Sequence, residues 1–342
     1  MSLRSGCVSC LAASALALFA SAAEATVIFC NDGLSLGCRW DAAPRTLGRS
    51  GLERSLDGGL RYSLQGGSYE AYRDGFSWQV VPTVAEFQTA VETAFAAWTA
   101  IDPQSGLGSS LAFIPDFATP VFGPAPGLPF DARGAEIDLL GYADGWFWDE
   151  GDPNLQAEAF FTSTTPTTLT LTSGTTGYAG RAITGADIKL NSNPEAVWTL
   201  DWFQLILTHE IGHSLGLGDV DFPQTAISFI DDNFDGSSSA TALETLTNSW
   251  ALLVNALDPS ASPLALYAVA NGDPGLDTFG VDILMESFIP DALLGDAVPL
   301  RNDDFGGRQF LYPWLVPEPS TLVLLGLGLV SAAAARRLPR AR

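Results

Sequence analysis

The order of elements predicted along this chain is a strand, a helix, several strands and a second helix, which assigns it to the α+β class with one mixed β-sheet. Two observations fix the helices and a third fixes the strands. FSWQVVP (76–82) reads as the first strand, and the segment after it, TVAEFQTAVETAFAAWTAI, reads as a helix. Thr83 and Glu86 have capping-box spacing, and Phe87, Val91, Phe95 and Trp98 recur at helical intervals, so one face belongs to the core. SLAFIPDF (110–117), AEIDLLGYA (135–143), TTLTLT (167–172) and RAITGADIKLN (181–191) are strand candidates separated by Gly, Pro and Asp turns. A second strong helix opens near Thr199, with Asp201 favourable in its first turn, and runs through His213. Residues 26–75 are rich in glycine and polar residues and read as a lead-in or a pro-segment. Residues 220–280 form a long insertion with a predicted helix, TALETLTNSWALLVNAL, and aspartate-rich loops.

The ends of the 342-residue chain are processing segments. Residues 1–25 read as a secretory signal peptide: Arg4, the apolar run LAASALALFA, and an Ala23-Glu24-Ala25 cleavage site for signal peptidase. Residues 316–342 hold Pro317-Glu318-Pro319, an apolar run from Thr321 to Ala335, and Arg336, Arg337, Arg340 and Arg342. That run is shorter than the roughly 20 residues of a comfortable membrane span, so transient membrane insertion is expected, with the basic tail cytoplasmic. The three-part layout resembles the PEP-CTERM sorting signal. That resemblance implies cleavage by an exosortase-type enzyme in a Gram-negative-type bacterium, and a product in the periplasm, on the cell surface or in the extracellular matrix.

Without the charged residues of these two segments, 37 acidic and 11 basic residues remain, a net charge near −26. Such a surplus argues against nucleic acid or an anionic membrane surface as a partner. Cys30 and Cys38, in CNDGLSLGC, are the two cysteines outside the signal peptide. In an oxidising compartment they are expected to close a small disulfide loop.

The chemistry concentrates in LTHEIGHSLGLGDVD (207–221), which contains both histidines of the chain. On a helix His209 and His213 lie one turn apart on one face, where two imidazoles can bind one zinc ion at about 2.0 Å. Glu210 projects beside them as a general base for metal-activated water. Gly216 can end the helix with positive φ and turn Asp219 back as third ligand. Glu244 on the later helix is the rival ligand, and Asp221 is a candidate to support a histidine.

The string H-E-x-x-H-x-x-G-x-x-D resembles that of the metzincin zinc peptidases, whose usual form ends in histidine. Met285 in VDILMESFIP is similar to their Met-turn, NDDFGGRQFLY (302–312) to the closing helix of the matrixin branch, and GADIKLN to its cleft-bordering strand. The resemblance implies a metzincin-like zincin domain over 76–315 that acts as an exported zinc endopeptidase on protein or peptide substrates. Neither cysteine has the PRCG-like context of a zinc-capping switch. Asp231, Asn233 and Asp235 in DDNFDG are spaced like half a calcium loop, but position 12 would be Ala242. A Ca2+ site of another type and a solvated turn both remain. Two other functional readings stand: an inactive metzincin-like surface or biofilm-matrix binding protein, and a zinc hydrolase acting on something other than peptides.

Overall fold

The computed structural model describes residues 26–30, 35, 37–47, 51–122, 133–143, 156–171, 176–219, 229–230, 238–241, 283–286, 289 and 291–312. Both terminal processing segments, the half calcium loop, Glu244 and Asp221 lie outside these residues. The elements in chain order are β1 (Thr26–Ile28), β2 (Cys38–Arg39), β3 (Arg45–Leu47), β4 (Leu52–Arg54), β5 (Leu60–Leu64), α1 (Tyr69–Arg73), β6 (Ser77–Trp78) and α2 (Val84–Ala97). They continue with β7 (Phe113–Pro115), β8 (Ile137–Tyr142), β9 (Ala157–Ser163), β10 (Thr167–Thr170), β11 (Thr176–Asn191), β12 (Val197–Trp198) and α3 (Leu200–Ser214). β13 (Leu217–Gly218), β14 (Phe229–Ile230) and α4 (Asn302–Leu311) complete the described set.

β11 organises the mixed, mainly parallel main sheet. Its second half pairs in parallel with β8, Ala186 opposite Ile137 through Asn191 opposite Tyr142, and antiparallel with β9. β8 pairs in parallel with β5, and β5 with β7, giving the order β9-β11-β8-β5-β7. The first half of β11 pairs antiparallel with β10 and in parallel with β2. The mixed sheet read from the element order is present as the seven-stranded main sheet, but it is not the single sheet expected: among the described residues a three-stranded sheet, β13-β1-β14, and two two-stranded pairs, β12-β6 and β3-β4, stand apart from it. Its parallel majority arises because the chain between the neighbouring strands β5 and β7 crosses over through α1 and α2, since parallel neighbours cannot be joined by a tight hairpin. Residues 38–64, read from sequence as part of a lead-in, supply β2 and β5 to this sheet.

The helices pack against one face of the sheet. Thr83 and Glu86 form the reciprocal capping box, and Phe87, Val91, Phe95 and Trp98 are buried as the periodicity predicts. They meet Tyr62, Leu64, Ile137, Leu139, Ile188 and Leu190, with the Tyr62 and Phe95 rings stacked at 4.1 Å. Each such side chain, fully buried, contributes about 1.5–3 kcal/mol before entropy is counted. At the end of α2 the Trp98 indole donates to the Thr208 carbonyl at 2.7 Å, tying that helix to α3.

The opposite face of the sheet is buried and polar. Asp138 and Asp187 are register partners in β8 and β11, and Lys189 lies 4.6 Å from the Phe160 ring centroid. Burial takes the Asp138 carboxyl up to about 8, against the amides of Ala135 and Phe122 that donate to it.

α4 closes the core from the C-terminal side. Arg308 is fully buried and donates to the carbonyls of Ala100 at 2.5 Å and Leu107 at 3.4 Å, so one side chain caps the chain leaving α2. Burial lowers its pKa to about 10, which leaves it charged at neutral pH. Arg308→Leu leaves those carbonyls unsatisfied and is expected to cost about 2–4 kcal/mol. The check is a lower urea midpoint at unchanged slope; an unmoved midpoint would contradict this role for Arg308.

Candidate metal centre

α3 begins at the N-cap Thr199, whose side chain accepts from the Trp202 amide, and Asp201 sits in its first turn. From Leu205 to Ser214 every residue is buried, so the helix carries its polar residues into the core instead of onto a solvated face. Such a helix needs partners for each polar group.

His209 and His213 have ring centroids 4.6 Å apart and perpendicular planes. Nδ1 of His209 lies 2.7 Å from the Leu284 carbonyl, and Nδ1 of His213 lies 2.9 Å from the Leu217 carbonyl. A carbonyl oxygen only accepts, so both Nδ1 atoms carry hydrogen and, in the neutral rings, both Nε2 atoms carry lone pairs. Each Nε2 lies 3.2 Å from the same atom, Oδ1 of Asp219. Oδ1 accepts no well-directed hydrogen bond there despite the distance. Three lone-pair donors therefore converge, with all ligand atoms within 4.8 Å of one another. Neutral imidazoles in this arrangement oppose a carboxylate lone pair to lone pair, which calls for a cation between them. The two Nε2–Oδ1 separations are close to the edge of a tetrahedron with bonds of about 2.0–2.1 Å, the geometry zinc takes with nitrogen and oxygen donors. The donor set thus fits zinc.

The turn that brings Asp219 round is built on Gly216 at φ 103°, two residues past the end of α3. Beyond its backbone conformation, a Cβ at Gly216 would lie 2.2 Å from the Cys38 carbonyl oxygen, so only glycine fits.

Met285 is buried against α3 at Gly212, the residue before His213. A Cβ on Gly212 would lie 2.4 Å from its sulfur and 2.7 Å from the Trp98 ring, so helix, thioether and indole are in close contact. Asp304, at the start of α4, accepts the amides of Leu284 at 3.0 Å and Met285 at 3.2 Å, and so positions the carbonyl that holds His209. Burial takes the Asp304 carboxyl up to about 6 against those donors. Glu210 lies fully within the site; burial raises its pKa, the imidazoles oppose the rise, and the Ala159 amide of β9 donates to it. Its Oε2 is buried and has no hydrogen-bond partner among the described residues. Glu158, also on β9, has its carboxyl raised to about 7, first by burial and further by Glu210, against the attraction of Lys189.

Of the residues predicted from sequence, the structure brings together His209, Glu210, His213, Asp219 and Met285, and joins Cys30 to Cys38 in a disulfide. Asp231, Asn233, Asp235, Glu244 and Asp221 lie outside the described residues. Sequence reasoning missed Asp304, Ala159, Glu158 and Phe29, whose ring lies 5.9 Å from that of His213. Only the Asp-Asp pair opening α4 was a local signal for any of them.

Residues 315–337 match the PEP-CTERM protein-sorting motif. The chain therefore carries the sorting signal of exported proteins that an exosortase-type enzyme processes. No curated protein matches the chain.

Two outcomes are expected. Burial disfavours protonation of the imidazoles, but Asp219 outweighs it, raising His209 and taking His213 up to about 9, while Asp219 itself is held below the usual carboxylate range. His213 therefore holds a proton at neutral pH in the metal-free site, and zinc binding at pH 7 should release about one proton. Calorimetric titration in buffers of different ionisation enthalpy measures this, and zero release would refute it. The same pair stabilises the metal-free fold fully below the imidazole's ordinary 6.5, until acid protonates Asp219, and is lost as pH rises through about 9. Secondly, Gly212→Ala should cost about 1–3 kcal/mol through overpacking against Met285 and Trp98, and weaken zinc binding. Thermal unfolding and chelator competition test it together.

Proposed function

We propose that this chain is an exported zinc-dependent endopeptidase whose metal is held by His209, His213 and Asp219. The observation that carries the reading is the convergence of two Nε2 lone pairs and Oδ1 beside the unpartnered Oε2 of Glu210. A closed structural site has no use for a buried carboxylate next to its ligands, whereas hydrolysis needs a base there.

When bound in a three-ligand site, zinc supplies Lewis acidity and lowers the pKa of water toward about 7. The chain's own groups do the rest. Glu210 takes the proton of the attacking water on Oε2 and passes it to the leaving amine. Its pKa, raised by burial, suits both steps, since the carboxylate must hold a proton briefly and then give it up. The Ala159 amide fixes the orientation of that carboxylate. Leu284 and Leu217 hold the imidazoles in the tautomer that faces Asp219.

Peptide is favoured as substrate by β9, which is packed beside α3 and, among the described residues, is paired only on one side, with β11. An extended chain can add to such an edge through backbone hydrogen bonds, with its carbonyl carried past Glu210. The metzincin resemblance of HEIGHSLGLGD points the same way.

The test is zinc content together with hydrolysis of a generic protein substrate by the processed chain. Wild type is expected to hold one zinc per chain and to cleave. Glu210→Ala should keep the metal and lose about 10²–10⁴-fold in rate, and Asp219→Ala should lose the metal. Asp219→His, which replaces an anionic ligand with a neutral one, should move the pH–rate profile toward lower pH. Full zinc with no cleavage of varied substrates would favour a binding protein, and absence of zinc from the wild type would end the metal reading.

A further inference from the structure

We propose that residues 26–30 and 37–40, joined by the Cys30–Cys38 disulfide, are a splint that holds Asp219 against the histidines, so that metal affinity depends on the oxidised bridge. The inference rests on the zinc reading and adds to it a structural dependence on redox state.

The path from α3 to Asp219 is S-L-G-L-G-D, residues 214–219, with two glycines in the four positions before the aspartate. Such a turn has large conformational freedom and does not by itself fix the ligand. In the structure the carbonyls of residues 214–217 are held, that of Leu217 by His213 Nδ1. The Ser214 carbonyl accepts the Trp40 indole at 3.0 Å. The Leu215 carbonyl accepts the Tyr312 hydroxyl at 2.7 Å, and that hydroxyl accepts the Trp40 amide at 3.1 Å. The Gly216 carbonyl accepts the Phe29 amide at 2.9 Å. β1 then pairs antiparallel with β13, Ile28 opposite Leu217 and Val27 opposite Gly218, the residue before Asp219.

The same short segment closes on itself. The Cys38 amide donates to the Phe29 carbonyl at 2.8 Å, the Cys30–Cys38 bridge joins the two sides, and the Cys38 carbonyl is the atom against which Gly216 packs. Cys30 sits at φ 64°, in the left-handed region that costs a non-glycine residue energy, and the bridge holds it there. Phe29, next to Cys30, places its ring between His213 and Phe161, 5.9 Å and 5.6 Å from them. Trp40 and Phe29 are thus positioning residues, acting on the metal through the Asp219 turn and the His213 ring.

Closing the loop converts two thiols into a disulfide, with two electrons and two protons passing to a disulfide-bearing oxidant of the export compartment. Before that step the splint is open and the third ligand is unfixed. The site therefore reaches full affinity only after export, and residues 26–30 and 37–40 belong to the working protein, not to a segment that is removed to activate it.

The test uses the full processed chain. Zinc affinity is measured by competition with a chromophoric chelator for oxidised wild type, for Cys30→Ser/Cys38→Ser, and for Trp40→Phe, which keeps the ring and removes the donor to Ser214. The expected loss is about 10–100-fold for the double variant and smaller for Trp40→Phe. Cobalt(II) absorption should lose intensity as Asp219 leaves and water replaces it, with circular dichroism showing the fold retained. Should the double variant not fold, zinc-loaded wild type is treated with a phosphine, and release to the chelator is timed once mass spectrometry shows both thiols. Faster release is expected. Unchanged affinity in the double variant, or unchanged release after complete reduction, overturns the splint and leaves the zinc reading standing. Oxidised wild type without zinc overturns both.

Discussion

Two Nδ1–H groups, each fixed by a backbone carbonyl, are the constraint on which the centre of this protein depends. Once those protons are placed, both Nε2 atoms face Asp219, and the space between them calls for positive charge, which protons on Nε2 supply in the metal-free site and a metal ion can supply in their place. Everything nearby keeps the two carbonyls where they are. Asp304 holds the Leu284–Met285 segment from one side, and β1 holds Leu217 from the other. Thus two segments that begin some 180 residues before and 90 after the histidines in sequence meet at one helical turn.

Such an assembly is expensive for a fold of this size. His209, Glu210, His213 and Asp304 are all buried beside a core of apolar side chains, and a buried ionisable group without a partner costs free energy. The core offsets this through the aromatic packing of α2 and α3 and through Trp98, which both fills space beneath the site and donates to the Thr208 carbonyl. The far face of the sheet shows another solution, with Asp138, Asp187 and Lys189 buried together and a lysine supplying the positive charge from within the chain.

The parts of this arrangement that are local were legible in the sequence. His209, Glu210, His213 and Gly216 belong to one helix and its exit, so their spacing alone places them on one face and predicts the positive φ. The capping box of α2 and its buried stripe are local in the same sense. What was not legible depends on contacts between distant segments. β5 lies in a glycine-rich stretch whose turns conceal it, and β9, AEAFFTS, is half-buried along most of its length and shows no clean alternation. Strand direction follows from connectivity, which alternation does not encode. The Ala159 amide and the Phe29 amide act through backbone atoms, so no side-chain pattern can announce them.

In the proposed zinc centre, aspartate as third ligand acquires a physical sense from the charge of the whole set. With neutral imidazoles, a divalent cation beside Asp219 and an ionised Glu210 forms a set of zero net charge, whereas a third imidazole in place of Asp219 would leave one positive charge uncompensated. In a chain whose net charge outside the two terminal segments is near −26, long-range field alone would draw cations of many kinds toward the surface. Selection must then come from geometry: two nitrogen donors and one oxygen, locked within a few ångströms, suit zinc better than the hard cations that prefer all-oxygen shells. The rigidity of the Asp219 turn is therefore part of metal selectivity. A loose aspartate would offer the same charge to any divalent ion, while a fixed one offers it only at the tetrahedral edge.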